Sequence, residues 1–263
     1  MKWPLGAAAV AVIALVILVL WGSRARAEID ERFEARELKG DDGKTLLYRL
    51  VRPADYQAEG EQRHPLVIFL HGAGERGDDN RKQLVHGSDL MREMAEKHAA
   101  FVVVPQCPAG EKWCDVDWFL PSHKMPERPS TSMALVMAAI KKLQAEFSID
   151  ANRIYIMGLS MGGYGTWDAL QRYPDVFAAG VPICGGGDDS AADRITAAVW
   201  CFHGEKDGAV PVARSRNMVE AIKAAGGDVK YTEYSGCGHD SWTSAFAEPE
   251  LLDWLFSQKR DTP

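Results

Sequence analysis

The chain has no Cys-x-x-Cys pair and no His-Glu-x-x-His segment, so two common zinc-binding patterns are missing. It also lacks an excess of positive charge. Against 30 Lys and Arg stand 37 Asp and Glu, a formal net charge of −7, and no basic stretch is interleaved with aromatics. That balance argues against a nucleic acid partner and disfavours polyanionic substrates. No internal repeat and no low-complexity linker marks a second domain. The run Cys184-Gly185-Gly186-Gly187-Asp188 is not followed by Gly-Lys-Ser/Thr, so it reads as a tight strand exit and not a phosphate loop.

What is present begins with an apolar N-terminus. Residues 5–21 carry no charge, Lys2 precedes them, and Ala25-Arg26-Ala27 offers a small-x-small site before Glu28. This is the layout of a secretory signal peptide. Arg24 and Arg26 on its far side, and a length close to the spanning minimum, fit an uncleaved membrane anchor instead. Both readings of 1–27 stay open. Both put the single remaining domain, 28–263, outside the cytoplasm: periplasmic, secreted, or tethered to the inner membrane through 5–21.

Five cysteines lie in that domain. Cys107 and Cys114 are the local candidates for a disulfide; Cys184 and Cys201 sit in apolar strands, where a buried thiol is expected.

Apolar runs and amphipathic stretches alternate along the chain. Strands are expected at 33–38, 46–52, 66–70, 101–104, 154–157, 177–184, 199–202 and 229–234, the first two as a hairpin around Gly40-Asp41-Asp42-Gly43. Helices are expected at 84–98, 132–147, 166–172, 212–225 and 245–258. Continuous apolar strands between helices indicate an α/β class: a mostly parallel sheet of about eight strands, covered on both faces. The irregular piece 105–130 reads as a loop over a site.

The chemistry centres on Gly158-Leu159-Ser160-Met161-Gly162, directly after the apolar run 153–157 and before a helix-like stretch. Strand, sharp turn and helix make such a pentapeptide a nucleophile elbow, with the serine Oγ exposed. A serine needs a base, and the base an orienting carboxylate. Asp207 and His239 follow in that order, each in a loop just past a strand end. Asp188 and Glu205 are rival acids. The turn His71-Gly72-Ala73-Gly74 offers the Ala73 N–H as one oxyanion donor, with the Met161 N–H as the other. His71 reads as structural, its ring fixing the loop.

Four motifs together resemble one α/β-hydrolase family. They are His71-Gly72-Ala73-Gly74-Glu75-Arg76-Gly77-Asp78-Asp79-Asn80, the pentapeptide with Gly163, Phe202-His203-Gly204-Glu205-Lys206-Asp207 with Val210-Pro211-Val212, and Gly238-His239-Asp240-Ser241-Trp242. The chain is similar over roughly 60–258 to exported bacterial carboxylesterases of the polyhydroxybutyrate-depolymerase-like and feruloyl-esterase-like kind, also described as predicted peptidases or dienelactone-hydrolase-like. The resemblance implies an α/β-hydrolase fold with Ser160, Asp207 and His239 as catalytic triad and no cofactor. It implies a serine hydrolase that cleaves carboxylic esters through an acyl-enzyme, on small-molecule or polysaccharide-linked substrates or on aromatic acyl esters.

Too few residues separate Cys184 from the strand at 199 for a large cap domain, so a shallow site is expected. Trp113, Trp118, Phe119 and His123 in the 105–130 loop either line a substrate pocket or form the loop's own small core. Trp242 joins Trp113 and Trp118 at the pocket, packs behind His239 and holds it, or simply packs at the surface or in the core. Two other functions stay open. One is a serine peptidase of the prolyl-oligopeptidase type, which normally needs a second domain to exclude large proteins. The other is a catalytically silent tethered binding protein, against which an intact Ser160 and His239 count.

Overall fold

The apolar run 66–70 fixes the middle of the molecule. All seven residues of β3 (His64–Leu70) are buried, as a strand covered on both faces must be. The computed structural model describes residues 30–40 and 43–260, so the leader reading of 1–27 concerns residues outside that range. Among the described residues no helix is long and apolar enough to cross a membrane. Residues 30–33, part of a separate N-terminal unit, make a turn in which Asp30 accepts from the backbone and guanidinium of Arg32.

The main unit is built on eight strands in the order β1-β2-β4-β3-β5-β6-β7-β8. The others are β1 (Glu34–Lys39), β2 (Thr45–Val51), β4 (Phe101–Gln106), β5 (Ile149–Leu159), β6 (Ala179–Ile183), β7 (Ala198–Gly204) and β8 (Val229–Tyr234). The hairpin β1–β2 is antiparallel and joins antiparallel to β4; every pairing from β4 to β8 is parallel. Six α-helices among the described residues complete the unit: α1 (Ser88–Lys97), α2 (Thr131–Glu146), α3 (Met161–Arg172), α4 (Ala213–Ala224), α5 (Trp242–Phe246) and α6 (Leu251–Ser257). This is the α/β-hydrolase fold expected from the sequence.

Several boundaries differ from expectation, and three of the differences have identifiable reasons. The helix expected at 84–98 starts only at Ser88, because Gly87 turns left-handed at φ 79°. The helix expected at 245–258 is two helices, separated around Pro249, whose ring cannot continue a helix interior. Strand β5 begins at Ile149 and not 154; Ile149 is buried, but residues 150–153 are exposed or part-exposed and three of them are polar, so they interrupt the apolar signal.

Parallel strands present their C-terminal ends on one edge, and the loops after β3, β5, β6, β7 and β8 gather there. Between β6 and β7 the one helical segment is a short 3-10 turn, Asp189–Arg194, and no cap domain is inserted there. Helix α3 is pressed onto the sheet by glycine. A Cβ at Gly158 would stand 2.5 Å from the Gly162 carbonyl oxygen, and one at Gly162 would collide with the Leu70 carbonyl oxygen. Both partners are backbone, which cannot step aside.

Gly162→Ala is therefore expected to destabilise the fold by about 3 kcal/mol or more, lowering Tm by roughly 10 °C. At Gly208 an added Cβ would meet nothing within 4 Å, so Gly208→Ala in the same thermal denaturation series should stay close to wild type.

Candidate active site

Ser160 occupies the one-residue turn between β5 and α3, at φ 54° and ψ −115°. Such a conformation is strained for any residue with a Cβ and persists only where its surroundings enforce it. Here the Ser160 N–H donates to the Ile183 carbonyl at 2.9 Å, and the Tyr164 N–H donates back to the Ser160 carbonyl at 3.1 Å. The side chain is thus held above the sheet edge.

Ser160 Oγ–H donates to His239 Nε2 at 2.9 Å, and His239 Nδ1–H donates to Asp207 Oδ2 at 2.7 Å. The three residues come from loops after three different strands. A hydroxyl on an imidazole whose far nitrogen faces a carboxylate can give up its proton to that imidazole. The Asp207 side chain is fully buried and that of His239 is 29% exposed, so the acid is dry and the base is reachable.

Asp207 is saturated with donors. Its Oδ1 accepts the N–H groups of Ala209 and Val210, each at 2.8 Å. Its Oδ2 accepts from His239 and also lies 3.2 Å from His203 Nε2, whose single hydrogen is shared with the Val210 carbonyl at 3.0 Å. Burial by itself would raise the Asp207 carboxyl, but the hydrogen bonds from His203, His239, Val210 and Ala209 outweigh it and hold the group well below the usual carboxylate range. His203 is wholly buried at the end of β7, and its Nδ1 meets Ser215 Oγ at 2.7 Å on α4. Sequence reasoning passed over His203 in the motif preceding Asp207. The signal available there was its spacing of four residues from the acid.

The rival acids are engaged elsewhere. Asp188 accepts from Met125 N–H at 2.8 Å and from Ser190 Oγ at 2.7 Å, tying the 105–130 loop to the exit of β6. Glu205 is exposed and accepts from Ser235 Oγ and Gly236 N–H, both at 2.9 Å.

On the other side of Ser160 lies the turn after β3. A Cβ at Gly72 would stand 3.7 Å from Ser160 Cβ, so this turn touches the nucleophile's own side chain. Ala73 and Met161 each open a helical segment, where the first N–H groups lack an acceptor within the helix. The turn is locked from β4 by buried Gln106, whose Nε2 donates to the Glu75 carbonyl and to Asp79 Oδ1 while Oε1 accepts the Asn80 N–H. His71 Nδ1–H donates to the Gly72 carbonyl at 2.6 Å, and its Nε2 accepts the Cys107 N–H at 2.9 Å. Burial pushes this imidazole down to about 4, so it stays neutral and pins the turn.

The pocket tryptophans part company. Trp113, left open between the pocket and a core of the loop, is 0% exposed in the main core, packed against Gly165 of α3, with Nε1–H donating to the His71 carbonyl at 3.0 Å. Its indole nitrogen finds its partner inside the protein, and the ring is not available to a ligand. Trp118 is half-buried, with Arg76 and Lys112 over its ring. Phe119 is 83% exposed. His123 is part-buried against Arg214 and the ring of Tyr164. Trp242 is half-buried and meets His239 edge to face, ring centroids 5.5 Å apart.

Cys107 and Cys114, the local candidates for a disulfide, are both free, buried thiols. Among the described residues one grouping could offer three metal ligands within 4.8 Å: Cys184, Asp207 and His239. Burial pushes the Cys184 thiol far above its usual range, which keeps it protonated, and Asp207 and His239 already hold each other.

A fold of this topology with this constellation defines an α/β-hydrolase with a serine-centred site. The model of the phospholipase/carboxylesterase family matches residues 54–249, and the chain belongs to that family. It is 28% identical over 173 residues to poly(3-hydroxyalkanoate) depolymerase C of Paucimonas lemoignei, covering 65% of this chain and 36% of that protein. A probable carboxylesterase of Oryza sativa subsp. japonica is 26% identical over 212 residues, covering 74% of this chain and 78% of that one. A thermostable esterase of solved structure shares 40% identity at a TM-score of 0.78, covering 88% of this chain and 64% of that one. The chain thus spans about a third of the depolymerase and under two thirds of the thermostable esterase.

His71 binds fewer protons folded than unfolded, since its value falls from 6.5 to about 4. Its contribution is therefore complete above about pH 6.5 and is lost as pH falls toward 4, costing up to about 3 kcal/mol; denaturant unfolding across that window should show the decline. His203→Gln should lower kcat roughly ten- to hundredfold by loosening Asp207, with KM nearly unchanged in steady-state assays.

Proposed function

We propose that this protein hydrolyses carboxylic esters through an acyl-enzyme on Ser160. The observation that carries the reading is the unbroken chain Ser160 Oγ to His239 Nε2 at 2.9 Å and His239 Nδ1 to Asp207 Oδ2 at 2.7 Å. Ser160 Oγ attacks the ester carbonyl carbon while its proton passes to His239 Nε2. The carbonyl oxygen becomes an oxyanion, held by the N–H groups of Ala73 and Met161; one such donor is worth about 3 kcal/mol. Asp207 orients the imidazole and stabilises its charged form. The carbon–oxygen bond to the alcohol then breaks, and the alcohol leaves with the proton from Nε2. Water repeats the sequence against the acyl-enzyme, and the acid departs as Ser160 regains its proton. The route needs no metal or organic cofactor.

The open edge above the sheet supports ester substrates of some bulk, including polysaccharide-linked and aromatic acyl esters. The leader pattern in 1–27 supports an extracytoplasmic domain, either released or tethered to the inner membrane.

A fluorophosphonate probe should label the full-length chain at Ser160 and fail to label Ser160→Ala. Asp207→Asn should lower kcat about 10⁴-fold, and Asp188→Asn far less. Labelling that survives Ser160→Ala, or a larger loss in Asp188→Asn, would defeat the assignment; faster turnover of peptide amides than of 4-nitrophenyl esters would move the protein to the peptidases.

A further inference from the structure

Arg214 is a buried cation that the reaction does not use. It stands in the first turn of α4, 2% exposed, and among the described residues no carboxylate pairs with it. Its Nε is sealed from solvent and has no hydrogen-bond partner. A guanidinium is seldom buried without an acid, and the N-terminus of a helix adds further positive charge there. Apolar side chains of similar volume often replace buried ions with no loss of stability. Packing alone therefore does not account for this residue; its contacts do. Arg214 Nη1–H donates to the Leu120 carbonyl at 3.2 Å, and Nη2–H donates to His123 Nδ1. Burial pushes His123 down to about 4, so its Nδ1 remains an acceptor at neutral pH. The guanidinium carbon lies 5.3 Å from the ring centroid of Tyr164, a cation–π distance, and His123 packs on the same ring. A Cβ at Gly186 would collide with the guanidinium, so the exit of β6 leaves the space this arm needs.

Three successive residues of the 105–130 loop are fixed by their backbone. The Trp118 carbonyl accepts from the Tyr164 O–H at 3.3 Å, the Phe119 N–H donates to Asp117 Oδ1 at 2.9 Å, and Leu120 is held by Arg214. This stretch borders the nucleophile. The Tyr164 N–H donates to the Ser160 carbonyl, and Trp118 packs with Tyr164 and Val210, whose N–H is one of the donors to Asp207. Arg76 links the Trp118 ring, 5.9 Å away, to the Ala73 carbonyl. Around the tetrahedral carbon of the proposed reaction, one direction belongs to Ser160 Oγ, one to the oxyanion donors and one to the alcohol beside His239; the acyl chain takes the fourth. Resting on that ester reading, we propose that Arg214 is a positioning residue that clamps 118–123 onto α3, so that Trp118 stands as a fixed wall for an apolar acyl chain of several carbons. An acetyl group, one carbon past the carbonyl, makes least use of that wall.

The experiment measures kcat and KM of the full-length wild type, Arg214→Met and Arg214→Ala on 4-nitrophenyl acetate and 4-nitrophenyl hexanoate, which share a leaving group. In Arg214→Met the hexanoate should lose roughly tenfold in kcat/KM, through KM, the worth of about two buried methylenes. The acetate should stay within about twofold, and Tm within about 4 °C of wild type. Guanidinium ion added to Arg214→Ala, well below denaturing concentrations, should restore the hexanoate rate. Equal losses on both esters, an unchanged hexanoate, a collapse of Tm or a failed rescue overturns the proposal. A second arm needs no turnover. The Phe119 ring is 83% exposed and its peptide bond is protected by the fixed backbone, so chymotrypsin should cut there about tenfold faster in Arg214→Met than in wild type. Equal cutting rates overturn the clamp. Absence of ester turnover by the wild type would defeat the ester reading alone, since the cutting rates still read the clamp directly.

Discussion

The site hangs on a backbone-to-backbone contact. Helix α3 lies so close to β3 and β5 that Gly158 and Gly162 have carbonyl oxygens where a side chain would begin. That approach forces Ser160 into its turn at φ 54° and brings the N-terminus of α3 under the hydroxyl. A position that is costly in isolation is maintained by the large buried area of β3, β5 and β6 around it. Stability of the sheet and placement of the nucleophile are therefore the same physical fact seen at two scales.

Electrostatics at the acid end follows from a different kind of burial. Asp207 is taken out of water, which opposes its charge, and is then given two backbone donors and two imidazoles. With Oδ1 committed to the backbone and Oδ2 shared between His203 and His239, the carboxylate has little freedom to rotate. The order of the imidazole against Ser160 is inherited from that immobility. His203 in turn leans on Ser215, so α4 contributes to the site without touching it.

Much of this was legible in the chain, and the reasons differ by residue. Ser160, Asp207 and His239 stood out because each occupies a loop directly after a strand, and a parallel sheet gathers such loops by topology. The glycines flanking Ser160 announced the close approach. Trp113 stayed open between pocket and core because an aromatic residue in a long loop carries no mark of which way it turns; the His71 carbonyl, 42 positions away in sequence, takes its indole N–H. His203 and Gln106 were passed over for a related reason. Their roles lie in contacts between distant segments, and no local pattern encodes those. The exposed stretch 150–153 near the start of β5 and the break at Pro249 were boundary errors of a simpler sort, one masked by exposure and the other by an apolar run continuing past a proline.

The distribution of sulfur has a practical meaning. Four thiols are sealed in the interior, whereas Cys237 is part-exposed on the loop that carries His239 two positions later. Its carbonyl accepts the Lys206 N–H, which joins that loop to the one bearing Asp207. A reporter group attached at this sulfur would ride on the junction between base and acid. The native sequence thus already contains a labelling point from which the motion of the catalytic histidine loop can be followed spectroscopically, without engineering a new cysteine or removing an old one.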